Sequence, residues 1–132
     1  MISENNTRIA IIGLGYVGLP LAVEFGTFYK TIGYDINKDR ITELLGGFDS
    51  TKEVNSHDIN KSTKLSYVSN IEKIRNCNIF IITVPTPIDD LNMPDLKPLI
   101  SATEEVGKII KKNDIVIYES TVYPGATEEV CV

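Results

Sequence analysis

Three glycines and one aspartate carry the clearest chemistry in this sequence. Gly13, Gly15 and Gly18 stand in the spacing G-x-G-x-x-G, and Asp35 follows 22 residues after Gly13. Such glycines let a backbone turn sharply at a helix start and offer its N–H groups to a pyrophosphate. Gly13 permits the tight turn out of a strand. Gly15 has no Cβ to block the phosphates, and Gly18 lets the helix pack close to the sheet. The N–H groups near Tyr16 and Val17 then face the anion, helped by the helix dipole. Asp35 can accept hydrogen bonds from both hydroxyls of a ribose. Its charge repels a 2′-phosphate, so the expected cofactor is NAD, not NADP. The plainer alternative is three glycines that serve only a turn. Arg40 has two readings, a contact to the adenosine edge or a solvated helix charge.

These residues need a strand before the glycines, a helix after them and a second strand ending at Asp35. The sequence supplies all three. Residues 8–12 form a β-branched run that reads as a buried strand. Residues 16–29 change to helical spacing, with Val17, Leu21, Ala22 and Phe25 apolar, and Pro20 sets the helix start near residue 15 or 16. A second strand spans 31–35. A second helix spans 38–45, capped by Asn37 and stopped at Gly46-Gly47. Residues 48–64 are polar and irregular, with room for one helical turn. A strand at 65–68 and a short helix at 70–75 follow. Residues 78–84 are the most hydrophobic strand and suit a central place in the sheet. A proline-rich loop then leads to a helix capped by Asp95 and running to about residue 112. Its apolar positions are Leu99, Ala102, Val106, Ile109 and Ile110, with Pro98 in the first turn. Asn113 and Asp114 turn the chain into a strand at 115–119, and another helix begins near Ala126. Alternating strands and helices predict an α/β fold, a Rossmann doubly wound parallel sheet of about five strands with helices on both faces.

The 132 residues fit one domain, and 42% of them are hydrophobic. A net charge of -5 argues against a nucleic-acid grip. No apolar run approaches the length of a membrane span, and residues 1–7 lack the apolar core of a signal peptide. One histidine and two cysteines fit no metal pattern. A reducing cytoplasm is the expected setting.

With these motifs in order, the sequence resembles the UDP-glucose and GDP-mannose dehydrogenases, the nucleotide-sugar 6-dehydrogenases. Four segments carry the resemblance. Gly13-Leu14-Gly15-Tyr16-Val17-Gly18-Leu19-Pro20 resembles the phosphate loop, and Gly33-Tyr34-Asp35 with Arg40 resembles the ribose-binding segment. Val84-Pro85-Thr86-Pro87 resembles the loop after the fourth strand, and Glu119-Ser120-Thr121-Val122-Tyr123-Pro124-Gly125 the loop after the fifth. The last two look more like the N-acetylhexosamine branch than the UDP-glucose branch. The resemblance implies that Thr86 contacts the cofactor and that Thr121 lies near the nicotinamide and the reacting sugar carbon. The plainer role for each is a helix-capping hydroxyl.

The family oxidises a sugar C6 alcohol twice, to a carboxylate, reducing two NAD⁺, and so serves polysaccharide biosynthesis. A catalytic Cys holds the aldehyde-level carbon covalently, supported by Lys, Asn and acidic partners. Those residues belong to later regions of the family's chain, so this sequence reads as its NAD-binding domain alone, without the central and C-terminal domains. The parent enzyme is expected to be a homodimer acting on a UDP-sugar. Cys77, before a buried strand, reads as a small core residue, and Glu128 and Glu129 disfavour a thiolate at Cys131. His57 reads as a surface residue. Lys108, Lys111 and Lys112 complement a helix dipole, and Tyr29, Tyr34, Tyr67 and Tyr118 fit packing. A stand-alone NAD(H)-sensing module and a relative of the β-hydroxyacid dehydrogenases are the alternatives. Ile36 stands where many of the latter carry an NADP-selecting basic residue.

Overall fold

The computed structural model describes residues 4–85, 91 and 95–119. Five parallel strands make one sheet: β1 (Arg8–Ile12), β2 (Lys30–Tyr34), β3 (Leu65–Val68), β4 (Ile79–Ile82) and β5 (Ile115–Tyr118). Their order is β3-β2-β1-β4-β5, the doubly wound arrangement in which the chain reverses direction across β1. The helices are α1 (Gly18–Phe28), α2 (Lys38–Leu45), α3 (Ser56–Lys61) and α4 (Lys97–Gly107), with 3₁₀ turns at Glu4–Asn6 and Ile71–Ile74. Among the described residues no helix is long and apolar enough to cross a membrane.

The isoleucines of β1 and β4 follow from burial on both faces. Side chains alternate across a strand, so β1 sends Ile9 and Ile11 to one face and Ala10 and Ile12 to the other. Ile9 and Ile11 pack with Leu19, Ala22 and Val23 of α1 and with Ile41 and Leu44 of α2. Ala10 and Ile12 pack with Phe80 and Ile82 of β4 and with Leu99, Ala102 and Val106 of α4. The expected central place of 78–84 is met in that β4 pairs on both sides, with β1 and β5.

Several boundaries differ from expectation. The first helix starts at Gly18, and Val17 is 50% exposed because it precedes the helix. The packed face is Gly18, Leu19, Ala22, Val23 and Gly26. The irregular segment does hold one short helix, α3. Asp95 accepts a bond from the Lys97 N–H, but Leu96 is the capping residue. That helix ends at Gly107, not near 112, as glycine's backbone freedom favours. Ile109 is still buried, in the turn that follows, whereas Ile110 is exposed. Lys111 therefore does not serve a helix end. Its Nζ donates to the carbonyls of Arg75 and Cys77 and pairs with Asp114, tying the approach to β5 to the start of β4.

Gly26 marks the closest approach of α1 to β3. A Cβ there would lie 2.3 Å from Ser62 Oγ and 2.5 Å from Leu65 Cβ. Gly26→Ala should therefore destabilise the domain by about 1–3 kcal/mol through overpacking, despite alanine's better helix propensity. Urea unfolding measures it, and an unchanged or raised midpoint would contradict this packing.

Candidate dinucleotide-binding site

The loop between β1 and α1 leaves the sheet at Gly13, whose φ of +96° favours glycine. The Gly13 N–H donates to the Tyr34 carbonyl at 2.8 Å, which continues the sheet ladder by one residue. At Gly18 a Cβ would sit 1.7 Å from the Gly13 carbonyl oxygen and 2.4 Å from Thr83 Oγ1, so only glycine fits. Gly15 differs from both, because a Cβ there would meet nothing within 4 Å. It would point into open space over the start of α1. Among the described residues no protein acceptor takes the backbone N–H of Gly15, Tyr16 or Val17. Tyr16 and Val17 are exposed.

Leu14 is held from three sides. Its side chain is fully buried beneath Gly33, where a Cβ would approach it to 2.9 Å. Its N–H donates to Asp35 Oδ2 at 2.9 Å. Its carbonyl accepts from Arg40 Nε at 2.7 Å. The other oxygen of Asp35 accepts from the Asn37 N–H at 2.9 Å. Each carboxylate oxygen has a second lone pair, so Asp35 can anchor the loop and still accept from a ligand hydroxyl. Asp35 owes its place to β2, which ends at Tyr34, and Asn37 caps α2 by accepting from the Asp39 and Arg40 N–H groups.

Arg40 is not a solvated helix charge. Its side chain is 10% exposed, and Nη1 pairs with Glu43 and with Asp49. Burial opposes its charged form, but the two carboxylates outweigh that and raise its pKa. Asp49 is the buried node of the segment after α2. Burial alone would raise its pKa, yet bonds from Thr51, Arg40 and the Val54 N–H bring it down to about 2. Arg40 Nη2 and the Tyr67 hydroxyl are buried without a partner among the described residues. Burial pushes the Tyr67 phenol up to about 12.

Thr83 is a site residue that sequence reasoning missed. It follows β4, is buried, and its hydroxyl lies 2.6 Å from the Gly13 carbonyl oxygen and 3.0 Å from that of Ile12. A lone polar residue ending an isoleucine run was the available signal. Glu43 and Asp49 were also missed, and nothing in their spacing pairs them with Arg40.

A cleft of about 420 Å³ lies beside the loop, between Gly13–Gly15, Asp35, Ile36, Val84 and α4 residues Pro98 and Ala102. It opens at the C-terminal ends of β1, β2 and β4, where ligands of doubly wound sheets sit. A second groove of similar volume between α1 and α3 has no glycine loop. Free N–H groups, open space at Gly15, an acidic residue and an apolar cleft together fit a dinucleotide. The phosphates would meet the loop and the adenosine would enter the cleft.

The remaining expectations divide. Thr86, Thr121 and Cys131 lie outside the described residues. Cys77 is buried, and burial pushes its thiol up to about 11, which suits a core residue. His57 is exposed on α3.

Residues 7–132 match the family model described as the UDP-glucose/GDP-mannose dehydrogenase family, NAD binding domain. A UDP-N-acetyl-D-glucosamine 6-dehydrogenase from Pseudomonas aeruginosa is 58% identical over 95% of this chain and 30% of its own length. Protein CapL of Staphylococcus aureus is 56% identical over 96% of this chain and 30% of its own. The solved UDP-D-ManNAc dehydrogenase from Pyrococcus horikoshii superposes with a TM-score of 0.85 at 35% identity, over 94% of this chain and 31% of that one. A ternary complex of GDP-mannose dehydrogenase from Pseudomonas aeruginosa gives 0.87 at 26%, over 96% and 31%. A diketoreductase, at 16% identity and a TM-score of 0.68, shares the fold alone. The chain spans about 30% of the length of these curated relatives. With its glycine loop, its Asp35 and a match along nearly its whole length, the chain belongs to the UDP-glucose/GDP-mannose dehydrogenase family and is that family's NAD-binding domain.

Proposed function

We propose that this domain serves an enzyme that oxidises the C6 alcohol of a UDP-N-acetylhexosamine to the uronate. The observation that carries the sugar class is the similarity to UDP-N-acetyl-D-glucosamine 6-dehydrogenases, at 58% and 54% identity. Bound here, NAD⁺ would supply the hydride acceptor for the oxidation. The residues of this chain bind and orient it. The N–H groups of Gly15, Tyr16 and Val17 take the pyrophosphate, with Gly13 and Gly18 shaping the loop around them. Asp35 takes the adenosine ribose, and Arg40 fixes the loop edge beside it. Thr86 and Thr121, after β4 and β5, would reach the cofactor and the reacting carbon, as expected at strand C-terminal ends. The whole chain would continue into central and C-terminal domains, dimerise, and work in the cytoplasm in polysaccharide biosynthesis.

Gly15→Val tests the phosphate site. Apart from its chain neighbours, no described residue lies within 4 Å of a Cβ at Gly15, so the fold should survive. The side chain would fill the space the pyrophosphate needs, and NAD⁺ affinity should fall by at least about 100-fold, the ~3 kcal/mol scale of lost charge-assisted hydrogen bonds. A folded variant with unchanged affinity would move the site elsewhere.

The isolated 132-residue chain should bind NAD⁺ and yet form no NADH from UDP-N-acetylglucosamine, UDP-N-acetylgalactosamine, UDP-N-acetylmannosamine or UDP-glucose. Holding the C6 carbon against the nicotinamide is worth ~7–11 kcal/mol of the barrier. The second oxidation also needs a nucleophile to trap the aldehyde, and the buried, high-pKa Cys77 is unsuited to it. Turnover by this chain that is lost on Cys131→Ser would make Cys131 that nucleophile and overturn the proposal.

A further inference from the structure

Among the described residues, Arg40 is the one cation hydrogen-bonded to the glycine loop. Its charge is already committed. Nη1 is bound to both Glu43 and Asp49, Nε is bound to the Leu14 carbonyl, and Nη2 is closed off from solvent. Both carboxylates are ionised at neutral pH. Asp49 is held at about 2, and Glu43 is lowered, first by the Ser50 N–H and then by the Ser50 hydroxyl and Arg40. One guanidinium with two carboxylates leaves the cluster with a net charge of one negative. Asp35 adds a second negative charge across the Leu14 peptide, and exposed Asp39 lies in the first turn of α2.

We propose that Glu43 and Asp49 are specificity-determining residues, which neutralise and outnumber Arg40 and so withhold the one counter-ion that the described residues offer a 2′-phosphate at the loop. NAD over NADP selectivity is then set in two layers, repulsion by Asp35 and sequestration of Arg40. The inference rests on the reading that Asp35 faces the adenosine ribose. A 2′-phosphate would have to displace carboxylates already paired with the guanidinium, because Arg is the side chain that recognises phosphate through several donors at once. Ile36, 79% exposed on the cleft, supplies no substitute charge.

Glu43 is the partner that can be changed without opening the core. Its side chain is 22% exposed, against 0% for Asp49. Glutamine would keep an acceptor oxygen for the Ser50 N–H and hydroxyl while removing one negative charge. The test is calorimetric titration of the 132-residue chain with NAD⁺ and NADP⁺ at low ionic strength. The variants are Glu43→Gln, Asp35→Asn, the pair together, and Ser50→Ala, with thermal midpoints recorded for each. Asp35→Asn should weaken NAD⁺ and narrow the gap between the cofactors. Glu43→Gln should shift the affinity ratio a further roughly tenfold toward NADP⁺, the scale of one unit charge across a partly solvated gap. That increment should shrink in high salt. Ser50→Ala, which loosens the same loop without changing charge, should leave the ratio alone. If Glu43→Gln moves both cofactors equally, or Ser50→Ala reproduces its shift, Glu43 is only a loop anchor and the inference fails while the ribose reading stands. An Asp35→Asn chain that binds both cofactors like the wild type would remove the ribose reading, and the inference with it.

Discussion

The peptide unit of Leu14 is the constraint on which the site depends. Asp35 takes its N–H, Arg40 takes its carbonyl, and the side chain is sealed under Gly33. The contacts come from two elements, β2 with the residue that follows it and the first turn of α2. Fixing one peptide therefore fixes the start of the glycine loop relative to the second strand and helix. On the far side, Thr83 after β4 holds the Gly13 carbonyl, and Gly18 seats against both. The loop is preorganised on three strands before any ligand arrives. A preformed loop loses less ordering entropy on binding, which is how rigidity becomes affinity.

The arrangement explains why polar residues are tolerated so near the core. Burying Asp49 or Arg40 alone would cost several kcal/mol. Paired through Nη1 they offset one another, and the backbone of 51–54 supplies Asp49 with further donors. The segment after α2 has few apolar side chains of its own. It is ordered around a charge, and that charge is tied through Arg40 to the phosphate loop. Cofactor site and loop conformation share one electrostatic network, so charge changes in the loop reach the site without any contact to a ligand.

Local signals made much of this legible in the sequence. Asn37 before a helix and Gly46-Gly47 after it define α2 as observed, and the β-branched run defines β1. The glycine spacing was readable because each glycine answers a separate steric demand at a fixed offset. What escaped reading was long-range and lacked periodicity. Asp49 meets Arg40 across an irregular loop, and Thr83 meets Gly13 across 70 residues, so neither has a sequence signature. Helical period misled in two places. Val17 continues the apolar pattern but stands ahead of the helix, and Ile109 continues it beyond Gly107, where the chain has already left the helix. At Val17 the backbone demand of the glycine loop overrode the side-chain pattern, and after Gly107 the chain turns toward β5.

The central claim is that NAD⁺ docks on this preformed loop with its ribose at Asp35. Amide chemical-shift mapping of the ¹⁵N-labelled chain during NAD⁺ titration tests it most directly. The account predicts saturable shifts concentrated at Gly13–Gly18 and Asp35–Asn37, with β3 and the α1–α3 groove unmoved. Shifts centred on that groove, around Thr27, Phe28 and Asp58, with the glycine loop silent, would contradict it.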